Sequence, residues 1–428
     1  MKRVICVLFV LASLFLVSCA GETPIASTEE AVATTATTTV EVTEPTAVLF
    51  ASALHHAALE SPSRILLFHG NTLWYYSKAD GESYRFCFNP LCQHTLKENC
   101  LARSFMSHSC TSDLCVYSEK NNRFYFARGQ HIYSTSFDAS DLKLECSFGE
   151  TGALDQMKYP ASLSILRMYD DYVYFRRTND DTGKRQIVRY NVATRKIEEL
   201  TSADDEWVIG YEIADGYIYF KTIDNDNNIR YYTTDMDFKE RKIVFDPIYP
   251  ANAGVSMGLY DGKYFYERIA GESDGELYRI NPLTGEKSLI VKDERLSASG
   301  SMIMCVKEDG LYFSAGNFTT LGYAYNGTTE RYDIGTMRNS IWRISFNGEF
   351  TKILDFPRGE IETLNFVDGG VIIHFNRIYH KEIDVEDPKA VGGVFVLFKI
   401  DENGNFINPK PIGNNADNED LIKFLKGV

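Results

Sequence analysis

Four residues near the start of the repeated region have the types and spacing of a metal-binding set: Cys87, Cys92, His94 and Cys100. Three thiolates and an imidazole make a tetrahedral Cys₃His site of the kind that holds zinc, and Asn89-Pro90 is a rigid turn that brings the first two ligands together. The Cys-x₄-Cys step departs from the usual Cys-x₂-Cys. The same residues suit disulfides, since an exported chain meets oxidising conditions and Cys87 can bridge to Cys92 across the turn. Setting aside Cys6 and Cys19, which belong to the leader region described below, seven cysteines remain, among them Cys110, Cys115, Cys146 and Cys305. An odd number forbids complete pairing, and buried thiols are the third reading. Under all three the cluster staples the first repeat and does no chemistry of its own.

Other chemistry-bearing patterns are weaker. Gly254-Val255-Ser256-Met257-Gly258 fits the G-x-S-x-G nucleophile elbow, which needs a strand before it and a helix after it; here a second strand follows, so the match is read as chance. Asp224-Asn225-Asp226-Asn227-Asn228 and Asp401-Glu402-Asn403-Gly404-Asn405 begin like calcium loops but lack the later Gly and bidentate Glu, and read as turns. The eight histidines are scattered with no carboxylate at fixed spacing; His374 alternates within a strand and reads as packed. No catalytic set and no cofactor site emerges beyond the zinc reading.

The elements that position these residues begin with an export signal. Lys2 and Arg3 precede an apolar run of fourteen residues, Val4 to Val17, too short to cross a hydrocarbon core that needs about 20. The run ends Leu16-Val17-Ser18-Cys19, which resembles the lipobox of bacterial lipoproteins. That resemblance implies cleavage after residue 18, lipidation of Cys19, and a protein held on the extracytoplasmic face of the cell membrane by its acyl chains. Residues 19–47 are rich in Thr and Glu, contain no Lys or Arg, and read as a disordered tether. Val48 to Leu59 is open between a short helix and a closing strand.

The propeller is expected over residues 48–412, and from Ser63 onward one pattern recurs: a strand, a tight turn, an aromatic-rich strand, a polar hairpin, a third strand, a turn and a fourth strand. The turn markers Asn71, Asn122, Asp171, Gly216, Gly262, Gly310 and Gly369 are spaced by 51, 49, 45, 46, 48 and 59 residues. Third strands such as Ile187-Val188-Arg189-Tyr190-Asn191 and Ser340-Ile341-Trp342-Arg343-Ile344 also repeat. Four strands per period of roughly 40 to 50 residues is the signature of a β-propeller. The expected fold is therefore all-β, a seven-bladed β-propeller of four-stranded blades, with six or eight blades as the alternatives. Residues 413–428 form a tail with a short helix that places Leu421, Ile422 and Leu425 on one face.

Lipobox, Thr-rich tether, repeats and the Cys-x₄-Cys-x-His-x₅-Cys cluster in the first blade together resemble uncharacterised β-propeller lipoproteins of anaerobic Gram-positive bacteria. The resemblance implies a surface lipoprotein and carries no activity with it. Composition narrows the partners: 44 Lys and Arg against 59 Asp and Glu give a formal charge of −15, falling to −17 once Lys2 and Arg3 are removed, so nucleic acid is not an expected partner. The expectation is a lipid-anchored binding or interaction module of the cell envelope, with a glycan, peptide or partner protein as ligand. The alternative is a propeller-type enzyme acting on extracellular polysaccharide, which would need carboxylates converging on the channel.

Overall fold

The computed structural model describes residues 58–426 except for short connecting segments, the longest of them 101–113, 149–162 and 380–390. The export signal, Cys19, the tether, Cys110 and His94 lie outside the described residues. Seven four-stranded antiparallel sheets follow one another over 58–85, 115–147, 163–199, 207–250, 256–293, 302–355 and 359–412, and they form a seven-bladed β-propeller. Each blade is a meander whose first strand is innermost; first strands of neighbouring blades meet around the axis. Connections between second and third strands, and those passing from one blade to the next, therefore lie at one end of the ring, here called the crossover end.

The first marker turn was misplaced by one strand. Gly70-Asn71 falls between the second and third strands of blade 1, Arg64–His69 and Thr72–Ser77, and the innermost strand is Ala58–Glu60. The turn that corresponds to the other six is Ser61-Pro62-Ser63, which lacks the Asn, Asp or Gly that marked them. The long spacing between Gly310 and Gly369 also has a cause: blade 6 carries an extra hairpin, Tyr323–Tyr325 with Arg331–Asp333, between its second and third strands. The turn chemistry itself is as expected, with Asn122, Asp170, Gly216 and Gly369 at φ of 48°, 50°, 76° and 83°.

Gly310 opens the second strand of blade 6 at φ 140°, and a Cβ there would lie 2.3 Å from the carbonyl oxygen of Ile344. Neither the backbone angle nor the neighbouring strand can yield, so Gly310→Ala should cost about 2–3 kcal/mol, read as a lowered urea midpoint.

A single blade covers neither of its faces, and the aromatic second strands explain how neighbours do it. Residues alternate along each strand, so successive side chains point to the preceding and following blade. In blade 3, Val173 and Phe175 pack towards blade 2, whereas Tyr174 packs towards blade 4. Apolar clusters of this kind fill six of the seven seams. Tyr174, Tyr190, Tyr211 and Tyr266 are fully buried, so much of the tyrosine content is interblade packing.

Among the described residues the ring closes without sharing a strand. Blade 1 is complete in itself, and it packs on blade 7 through Ala58, Ile65, Leu67, Ile372, Phe395 and Ile412. Polar contacts register the two faces: the Asp368 amide donates to Glu60 at 2.8 Å, Lys410 Nζ to the Gly81 carbonyl at 2.6 Å, and the Gly413 amide to Ser83 Oγ at 2.9 Å. The tail forms a helix over Glu419–Leu425, capped by Asn418, whose side chain accepts from the Leu421 amide. Leu421 and Leu425 are buried in the seam between blades 6 and 7, and Ile422 is only partly so.

Candidate functional site

The cysteine cluster sits on the crossover connection from the outermost strand of blade 1, Ser83–Arg85, to the innermost strand of blade 2, Cys115–Ser118. Phe86 starts that connection and is buried in the seam between these blades, edge-on to Tyr75 and Phe124 at ring separations of 6.4 and 6.1 Å. Planting Phe86 there fixes Cys87. The sulfurs of Cys87, Cys92 and Cys100 then lie within 4.8 Å of one another, Cys100 buried and the other two partly exposed. Among the described residues no disulfide joins two cysteines.

Tetrahedral zinc with bonds of about 2.3 Å places its sulfurs roughly 3.8 Å apart, so three mutually close thiols suit a shared ion. A disulfide would draw two sulfurs to about 2.05 Å and leave the third over. The sequence-predicted ligands Cys87, Cys92 and Cys100 are thus brought together. Cys146 and Cys305 belong elsewhere, buried in other seams; burial pushes the Cys146 thiol up to about 12 and the Cys305 thiol up further, which makes both inert packing residues.

A second polar region was missed from sequence. Pairing registers place Ala127, Arg176, Lys221, Arg268, Ser314 and His374 at one equivalent position near the crossover end of the second strands of blades 2 to 7. Three consecutive blades, 3 to 5, carry a cation there. Their partners on the innermost strands are Ser164, Gly210 and Ser256, all small, whereas blades 6 and 7 have Met302 and Thr363. In blades 3 to 7 the innermost strand is irregular next to this position, with register shifts that turn its residues relative to the channel.

Arg176 Nε donates to Ser164 Oγ at 3.0 Å, and Arg268 Nη1 donates to the Leu296 carbonyl at 2.9 Å. Burial lowers the Arg268 pKa. The seam between blades 4 and 5 has no apolar cluster among the described residues; Tyr219 packs there against Phe265, with ring centroids 5.0 Å apart. Glu267, 1% exposed, stands there at the place that Phe175, Phe220 and Phe313 occupy in other blades, and its Oε2 accepts from Lys287 Nζ at 3.0 Å.

The remaining motifs resolve as structure. Ser256 of the G-x-S-x-G match opens the innermost strand Ser256–Tyr260, with the strand Phe265–Ile269 next and no helix. Asp401 accepts from the Asn403 and Asn405 amides and the Asn405 side chain, so this calcium-like loop is an Asx turn. Residues 224–227 of the other loop lie outside the described residues. His374 stacks on Phe395 at 4.5 Å with Nδ1 2.9 Å from Glu362, a packed residue of the closing seam.

No protein-family model and no curated protein sequence matches the chain. Among solved structures, puromycin hydrolase is similar over 83% of this chain at a TM-score of 0.50 and 11% identity, and the chain spans 53% of that protein's length. An oligogalacturonate lyase from Vibrio parahaemolyticus is similar over 83% of this chain and 92% of its own, at 0.49 and 9%. A protein from Lactobacillus plantarum is similar over 82% and 98%, at 0.48 and 11%. At these identities the likeness is one of fold.

Proposed function

We propose that this protein is a binding module of the cell envelope, anchored through lipid on Cys19, whose crossover end recognises an extracellular ligand. The observation that carries the reading is the placement of Arg176, Lys221 and Arg268 at one register near that end, in a ring whose other seams are packed with apolar side chains. Rigid apolar seams with polar groups gathered at one end suit binding, because the scaffold orders those groups before the ligand arrives. The leader sequence Leu16-Val17-Ser18-Cys19 supports the anchor.

The test is incubation of the full chain, in detergent, with isolated envelope polysaccharide, followed by sedimentation and analysis of polymer ends. Retention of the protein with unchanged chain length is the expected result. New reducing or unsaturated ends would overturn it in favour of a polysaccharide-cleaving enzyme.

Within the same reading, Cys87, Cys92 and Cys100 hold a zinc ion that ties blade 1 to blade 2, with His94 as the sequence-predicted fourth ligand. An ion held by these residues would have a structural role, offsetting the thiolate charge and holding the crossover connection in place. Native mass spectrometry should show one zinc per chain, lost on chelation, with these three thiols alkylated only after its loss. Thiols that never alkylate until a reductant is added would establish disulfides instead.

A further inference from the structure

Lys221 lies in the second strand of blade 4, Tyr217–Ile223, on the face that Tyr219 turns towards blade 5. Among the described residues no hydrogen bond or ion pair reaches its ammonium, although burial, reinforced by the nearby Arg176 charge and opposed by Glu267, brings its pKa down to about 8. Among the described residues Glu267 is the one carboxylate acting on it, and Oε2 of that carboxylate accepts from Lys287 at 3.0 Å. A half-buried ammonium whose neighbouring carboxylate already binds another lysine through one oxygen leaves positive charge for a further anion to compensate. Arg176 and Arg268 sit at the same register on the flanking blades, and Gly210 opposite Lys221 puts no side chain between it and the axis.

We infer that Lys221, with Arg176 at the same register on the preceding blade and with Ser164 and Gly210 opposite the two cations on the innermost strands, forms a recognition site for a ligand carboxylate. A monoanion fits better than a phosphate dianion because Glu267 keeps a negative charge in the same seam. The chain as a whole is strongly acidic, so adjacent Arg176 and Lys221 are a local reversal of sign that favours an anion. Within the binding reading, on which this rests, the ligand class becomes an acidic saccharide or another carboxylate-bearing molecule.

Among the described residues the charged and titratable groups around Lys221 are Arg176, Glu267 and Lys287, with Tyr231 as its cross-strand partner. Calorimetric titration of the full chain in detergent with D-glucuronate, D-glucose and inorganic phosphate tests the site. D-glucuronate should bind at least tenfold more tightly than D-glucose or phosphate. Its affinity should fall about tenfold between pH 7 and pH 9, because the cationic form that binds the carboxylate is lost as Lys221 deprotonates. Lys221→Met should lower it at least tenfold and Lys221→Arg should retain it. The pH series needs no variant, so it stands even where Lys221→Met changes folding. Equal affinity for D-glucose, preference for phosphate, no D-glucuronate binding, or an unchanged Lys221→Met would each overturn the carboxylate site. Retention on envelope polysaccharide would still stand in those cases and would keep the binding reading.

Discussion

Phe395→Ala is expected to cost about 3–5 kcal/mol, the largest effect of any single truncation in the closing seam. Phe395 is fully buried among Ala58, Ile65, Leu67, Ile372 and Ile412, residues drawn from both blade 1 and blade 7. Among the described residues no strand crosses that seam, and side-chain packing with a few polar contacts holds the first blade to the last. Removing the ring leaves a cavity and also strips His374 of its stacking partner. The expected signature is a lowered urea midpoint together with protease cleavage in blade 1. Ile243→Ala, at a side chain that is 55% exposed, should stay within about 0.5 kcal/mol in the same assay. Equal midpoints for the two variants would mean that the seam between blades 7 and 1 carries little of the stability.

Cys100→Ala should abolish zinc binding and lower stability by about 4 kcal/mol in zinc held at a thousand times its dissociation constant. Cys100 is the buried member of the three, so it contributes a sulfur that water does not compete for. The wild type treated with chelator should melt where Cys100→Ala melts, and chelator should not move the variant further. A wild-type melting curve indifferent to chelator would remove the metal from the account of the first two blades.

Much of the architecture was legible because it rests on local chemistry repeated seven times. Asp-Gly and Asn-Asn turns announce left-handed backbone, the aromatic run after each announces a seam-filling strand, and the third strands Arg185–Asn191 and Arg338–Ile344 fall where their sequences indicated. Blade 1 was read one strand late because Gly70-Asn71 has the same turn chemistry, while Ala58–Glu60 is too short to show alternation. The cationic arc was hidden for a related reason. Counted from Asp261-Gly262, the counterpart of Lys221 is Glu267, but the pairing of Phe265 with Ile280 moves it to Arg268. One residue of slip reverses which blade a side chain addresses, and no turn motif reports it. Proximity of Cys87, Cys92 and Cys100 was legible from spacing, but their seating beside Phe86 depends on a seam formed by residues about forty positions apart in the chain.

In this ring the chain's final segment does not supply the missing edge of the opening sheet. Each blade is consequently a self-contained hydrogen-bonded cassette. Duplicating or deleting one would require two matching faces to be remade, while every backbone ladder survived intact.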